Sequence, residues 1–240
     1  MRYMLIHTVD PDLAPATPDE WREADQVLAR WLGELDAAGA GLHGSRLRPP
    51  DDATTVRIRD GKLIVTDGPF AETKEQVAGY DVLECASLEE AVRWAGKHCT
   101  AGMGAIEVRP FPETAPAGRL SAPAAGKTRY MLLVCTDPSL DPAVFDDLDP
   151  AGAWVADTDR KGVRVFGSEL GPRENARTVR VRDQRTLVTD GPFAETKEQI
   201  AGFDLLDCAD LDEAIGIASR HPMARGGILE VRPLWAFEEE

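Results

Sequence analysis

The chain is short of cysteine, of aromatic residues and of positive charge, and each shortage excludes something. Its 240 residues include four cysteines, Cys85, Cys99, Cys135 and Cys208, with no CxxC spacing, so neither a zinc site nor a redox pair is indicated. Lys and Arg number 27 against 42 Asp and Glu, a net charge of −15, and no basic stripe interrupts that acidity. Phosphate contact needs cations gathered on one face, so nucleic acid is not an expected partner. An anionic membrane surface would repel the chain. No apolar run is long enough for a membrane span, and the opening Met1 to Ile6 is too short for a signal-peptide core. The expectation is a cytoplasmic protein with reduced thiols. GxGxxG after a strand, the P-loop, the GxSxG elbow and HExxH are all missing, so the chemistry of those motifs is not announced. The five tryptophans fall mostly on helix stripes or the tail, where core packing explains them.

What the chain has is a repeat. Thr66 to Gln76, TDGPFAETKEQ, recurs letter for letter at Thr189 to Gln199. Sixteen of the twenty positions from Thr66 to Cys85 match Thr189 to Cys208, which excludes a composition accident. Thr55-Val56-Arg57-Ile58-Arg59-Asp60 answers Thr178-Val179-Arg180-Val181-Arg182-Asp183, and Glu107-Val108-Arg109-Pro110 answers Glu230-Val231-Arg232-Pro233. The chain is one domain written twice. Copy one spans residues 1–110 and copy two 129–240, joined by a Pro/Ala/Gly-rich linker, 111–128, without apolar periodicity.

Copy one reads as a strand over Tyr3 to Val9, then a helix capped by Thr17 with Pro18 in its first turn. Trp21, Ala24, Leu28, Trp31, Leu32 and Leu35 form the helix stripe and Gly39 ends it. A strand at Leu42 to Leu47 precedes a hairpin, Thr55 to Arg59 and Lys62 to Thr66, turning at Asp60-Gly61. After the signature come a strand over Val77 to Glu84, a helix from Ser87 through Lys97, and a strand over Gly104 to Arg109. That order, β-α-β-β-β-β-α-β, is a ferredoxin-like split βαβ with an inserted hairpin, an α+β fold. Copy two follows it, with a first helix shortened by four residues and carrying Pro142 and Pro150. Two such halves, each with helices on one sheet face, can cover each other's bare faces as an internal pseudo-two-fold pair.

The Asp-Gly-Pro-Phe signature, with Val-Arg-x-Arg-Asp before it and Glu-Val-Arg-Pro after it, resembles the DGPF branch of the YciI-related (YCII) proteins. The resemblance covers nearly all of both copies and implies a dimeric α+β barrel, here with both units on one chain. It does not imply one function: relatives include enzymes acting on small organic molecules, among them a chloromuconolactone dehalogenase, and cofactor-free oxygenases or cyclases in the wider superfamily. DGPF proteins often accompany alternative sigma factors, which suggests a regulatory context. YciI-type members are thought to use a His–Asp pair in a cleft, but no histidine near the signature is repeated here, so that pair does not carry over by motif.

Asp67 and Asp190 suit a structural turn first, and otherwise a carboxylate at a cleft rim that acts as general base or orients a substrate hydroxyl. Glu72, five residues on, and its counterpart Glu195 could pair with them, or simply favour a helix N-terminus. Arg57 and Arg59, like Arg180 and Arg182, share one strand face, suited to an anionic substrate or to cross-strand ion pairs. His98 and His221 sit at a helix C-terminus, where a cation is favourable. His7 and His43 occur only in copy one, opposite Val134 and Phe166 of copy two, as core histidines or as proton shuttles of a working site that copy two has lost. No His/Cys/Asp group has ligand spacing, so neither metal nor cofactor is expected. Two functions fit: cofactor-free acid–base chemistry on a small organic metabolite (elimination, isomerisation or cyclisation), or a non-catalytic ligand-sensing or protein-interaction module. Oligomerisation beyond the internal pair is left open.

Overall fold

The computed structural model describes residues 1–71, 74–114, 118–137, 139–140, 151–193 and 198–235. Copy one contains β1 (Arg2–Val9), α1 (Pro18–Ala37), β2 (Gly41–Arg46), β3 (Thr54–Arg59), β4 (Lys62–Asp67), β5 (Gln76–Glu84), α2 (Leu88–Lys97), α3 (Thr100–Met103) and β6 (Gly104–Pro110). Copy two contains β7 (Thr128–Thr136), α4 (Ala151–Arg160), β8 (Arg164–Glu169), β9 (Arg177–Arg182), β10 (Arg185–Asp190), β11 (Gln199–Cys208), α5 (Leu211–Ala218), α6 (Met223–Gly226) and β12 (Gly227–Pro233). The order matches the expected one, with an added single turn before the last strand of each copy. Pro142 and Pro150 lie outside the described residues.

Local chemistry explains the boundaries. Glu20 N–H donates to Thr17 Oγ1 (3.3 Å) and Thr17 N–H to Glu20 Oε2 (3.0 Å), a capping box that opens α1. Gly39, at φ +66°, ends it. Asp60 and Gly61, at φ +52° and +72°, make the β3–β4 hairpin turn. The stripe of α1 is narrower than expected: Trp31 and Leu35 are buried, but Trp21 and Leu32 are exposed.

The strands form two six-stranded antiparallel sheets, ordered β10-β9-β6-β1-β5-β2 and β4-β3-β12-β7-β11-β8. Each hairpin therefore joins the sheet that carries the other copy's strands. β3 pairs with β12, Val56 opposite Leu229, and β9 pairs with β6, Val179 opposite Ile106. The compact units cut across the sequence repeats: one is Met1–Arg46, Thr73–Arg119 and Leu170–Glu195, the other Leu47–Glu72, Leu120–Glu169 and Thr196–Glu240. Val56 and Val179 are fully buried in the unit they enter. Each such valine contributes about 1.5–3 kcal/mol.

The repeated motifs fasten the exchanged hairpins. Gly68, at φ +95°, donates its N–H to Ala53 O (2.8 Å), and Thr55 Oγ1 donates to Gly68 O (2.8 Å). Phe70 N–H then donates to Glu230 Oε2 (3.0 Å). Copy two repeats this with Gly191 at φ +89° on Ala176 O, Thr178 on Gly191 O, and Phe193 N–H on Glu107 Oε2 (3.2 Å). Glu107 and Glu230 are almost fully buried and ion-paired with Arg109 and Arg232. The Glu-Val-Arg-Pro motif of each copy thus grips the Asp-Gly-Pro-Phe turn of the other.

Candidate functional site

Along β1, Tyr3, Leu5 and His7 alternate onto the face that α1 and α2 cover; Tyr3 and Leu5 pack there with Trp31, Leu83 and Ala91. Asp81 of β5 stands opposite Leu5 and Gly44, on the same face. His98, the residue after α2, completes the group from the helix side. His7 Nε2 lies 3.0 Å and His98 Nε2 3.9 Å from Asp81 Oδ2. The imidazole rings are 4.3 Å apart, and Trp31 presses edge-on against His98 at 4.7 Å. The three side chains are only 8%, 5% and 13% exposed (His7, His98, Asp81). His7 Nε2 has ion-pair distance to Asp81 but lacks hydrogen-bond alignment, and it is buried without another partner.

Burial sets the protonation of this group. Loss of solvent pushes the Asp81 carboxyl up to about 7, with His98 opposing. The same desolvation pulls His7 and His98 down to about 3, His7 adding to the effect on His98. His98 is therefore not the helix-end cation expected from its position but a neutral ring. Thr100 N–H donates to its Nδ1 (3.1 Å), so the hydrogen-bond network assigns the ring proton to Nε2, aimed at Asp81. Contrary to the sequence expectation, three ligand-type atoms do converge, all within 4.8 Å of one another. A cation there would need the Nε2 position that the Thr100 contact fills with a proton, so the donor set suits proton transfer better than a resident metal. An aspartate titrating near neutrality beside a neutral histidine can take up or give a proton at physiological pH.

Copy two repeats the frame and changes its charge. Asp204 lies 3.9 Å from His221 Nε2, Met223 N–H donates to His221 Nδ1 (3.0 Å), and Trp154 packs on His221 at 4.6 Å. Val134 replaces His7, and Arg164, in the place of Gly41, donates through Nε to Asp204 Oδ1 (2.6 Å). Burial still raises Asp204 to about 6 and lowers His221 to about 4. A fixed guanidinium occupies the carboxylate that copy one leaves to histidines.

The other candidates go elsewhere. His43 lies opposite Val82 and meets the Tyr80 hydroxyl (3.3 Å); both neighbours alternate with Asp81 and Leu83, so His43 is on the sheet face away from His7. Asp67 is exposed at the end of β4, beside a shallow hollow of roughly 410 Å³ that also includes Arg48, Asp51, Asp52 and Tyr130 but no histidine. Asp190 is exposed and pairs with Arg177 at 3.0 Å. Neither aspartate joins the histidine group. Arg59 and Arg182, expected as anion binders, instead donate to main-chain carbonyls of Ala224 and Gly227, and of Ala101 and Gly104; Arg59 also pairs with Asp137. Arg180 is held by Glu75 (2.9 Å) and Phe193 O. Arg57 keeps a buried Nε without a hydrogen-bond partner among the described residues. Glu72 and Glu195 lie outside the described residues. Asp81, which sequence reasoning missed, carried one signal: an ionisable residue inside the apolar run Tyr80-Asp81-Val82-Leu83.

A buried His–Asp pair on a twice-written α+β frame defines a class of small α+β proteins rather than an activity. The family model described as "YCII-related domain" matches residues 1–114 and again 129–238, and the chain belongs to that family. An uncharacterized protein of Rhizobium meliloti (strain 1021) is 47% identical over 96 residues, 38% of this chain and 77% of that protein. Among the described residues no helix is long and apolar enough to cross a membrane, and all four cysteines are free thiols.

Proposed function

We propose that the chain binds a small organic molecule at copy one and moves a proton on it without a cofactor. The observation that carries this reading is the buried His7–Asp81–His98 group, complete in copy one, whereas copy two keeps Asp204 and His221 but has Val134 in place of His7. Asp81 accepts or delivers the proton near neutral pH, and two neutral rings flank it: His7 at 3.0 Å, and His98 with its proton pinned on Nε2. The reaction class is elimination, isomerisation or cyclisation, as the resemblance to the DGPF branch suggests. Copy two acts as scaffold, and the two sheets belong to an intramolecular dimeric α+β barrel in a cytoplasmic protein. The test is a thermal-shift screen of the purified chain against small organic acids, lactones, amines and polyphenols, followed by turnover assays on each hit. A ligand that raises Tm in the native chain and in Asp67→Asn, but not in His7→Val or Asp81→Asn, supports the site. Hits that ignore His7 and Asp81 refute it.

A protein-interaction role is the second reading. Edge strands β4 and β10 expose Leu63, Val65, Leu187 and Val188, an apolar series along unpaired strand edges. A flat ligand screen together with stable capture of a partner, lost on Leu187→Lys, would favour it.

A further inference from the structure

We infer that copy one binds the cationic head of its ligand, an alkylguanidinium or alkylammonium group, on Asp81 Oδ1, at the place that the Arg164 guanidinium fills in copy two. The inference rests on the proposed ligand site and names the ligand's charge. Asp81 and Asp204 occupy equivalent positions: each faces a glycine of the neighbouring strand, Gly44 or Gly167, and each has a neutral histidine 3.9 Å from Oδ2. In copy two the remaining oxygen, Oδ1, accepts from Arg164 Nε at 2.6 Å. A methyl group built on Gly167 would collide with Asp204 Oδ1 and meet Arg164 Nη2 at 2.5 Å. Built on Gly44, it would collide with Asp81 Oδ1, but its other nearest atoms are Asp81 Cγ (2.7 Å) and the Tyr80 carbonyl oxygen (2.9 Å); no guanidinium is there.

No Lys or Arg among the described residues lies within ion-pair reach of Asp81. Arg46, two pairs along the strand, pairs with Asp25 at 2.8 Å, and its charge helps to keep the His98 ring neutral. Leu35 stands where copy two has Thr158, and its Cδ2 would lie 2.8 Å from a Cβ on Gly41; it fills space over Gly41, where the Arg164 stem begins in copy two. His7, nine-tenths buried with an unpartnered Nε2, points at the other carboxylate oxygen. A buried carboxyl group with two neutral histidines, and no Lys or Arg within ion-pair reach among the described residues, leaves a place that a ligand cation fills.

The test is a titration of the 15N-labelled full chain with methylguanidinium chloride, followed at the amides of Gly44 and Gly167. The expected result is a saturable shift at Gly44 alone. Asp81→Asn should abolish it, Leu35→Thr with Gly41→Arg should abolish it by supplying the guanidinium internally, and Arg164→Gly should add a second saturable shift at Gly167. Methylammonium should compete and acetate should not. A Gly44 shift that survives in Asp81→Asn, or silence at Gly44 throughout, overturns the inference. γ-Butyrolactone separates the two readings. If the lactone moves Gly44 saturably and methylguanidinium does not, the organic ligand site stands and its cationic ligand is wrong; if neither moves it, both fail.

Discussion

Copy one and copy two set an aspartate at the same point of the same strand, beside the same glycine, histidine and tryptophan, and then treat its charge in opposite ways. Asp204 has a guanidinium at 2.6 Å, which opposes the effect of burial and leaves it at about 6; Asp81 has a histidine at 3.0 Å and is pushed up to about 7. An arginine keeps a fixed charge beside its carboxylate, whereas copy one sets only neutral rings beside Asp81. The scaffold is duplicated, and the groups around the aspartate differ between the halves. That division predicts that scaffold variants act alike in the two copies and site variants act differently.

The largest effect tests the likeness. Glu107→Ala and Glu230→Ala each strand a buried arginine and release the other copy's signature turn. Each should cost about 3–5 kcal/mol in chemical denaturation, to similar extents. A difference of more than about 2 kcal/mol between them would break the equivalence of the two halves.

Next in size are two variants expected to differ in how much they change stability. Burial keeps Asp81 protonated up to about 7, while the unfolded chain ionises this group near 4. The unfolded state therefore sheds its proton first, and stability falls as pH rises from about 4 to 7 and stays lower above that window. Asp81→Asn cannot ionise, so at pH 8 it should be more stable than the native chain by on the order of 2–4 kcal/mol, with the gain vanishing near pH 4. His7 and His98, depressed to about 3, lose stability only as pH drops below about 6.5, so a comparison between pH 7 and 8 is free of them. Asp204 is raised too, to about 6, and Asp204→Asn also takes the partner from a nearly buried arginine, so at pH 8 this variant should gain less than Asp81→Asn or fall below the native chain. A gain for Asp204→Asn as large as that for Asp81→Asn would contradict the charge assignment.

Much of the frame was legible because it is local. The Thr17 cap, the Asp60-Gly61 turn and the strand alternation each rest on neighbouring residues, and the copies could be checked against each other. The hairpin exchange was not legible, for a physical reason: β3 meets the same Glu-Val-Arg-Pro motif whether it pairs with β6 or β12, so the motif cannot separate self from exchange. The site was half legible. His7 stood out because Val134 replaces it, but its partner is 74 residues away in sequence, and Asp81 was hidden by being repeated as Asp204. Identity between copies marked the scaffold, and the difference between the halves lay in what changed around it, at His7 and at Gly41. The prominent arginines misled because strand alternation fixes a face and not a partner: Arg59 and Arg182 end on main-chain carbonyls at the short turns before β12 and β6.

The smallest effect bears on the signature itself. Its first letter attracts attention as an acid, yet Asp67 is an exposed residue at the end of an edge strand, whereas the next residue, Gly68, sits at φ +95° with both its N–H and its C=O engaged. Only a residue without Cβ enters that conformation freely, so Gly68→Ala should cost about 1 kcal/mol or more, and Gly191→Ala the same in copy two. Asp67→Asn keeps the shape and removes only a solvated charge, so denaturation should register a change within about 0.5 kcal/mol. Ligand shifts at Gly44 should be untouched, because Asp67 belongs to the unit that does not contain His7 and Asp81. If Asp67→Asn instead abolished ligand binding while leaving the fold intact, the signature would have a chemical role in addition to its structural one, and the contrast between one working copy and one scaffold copy would have to be redrawn around the turns.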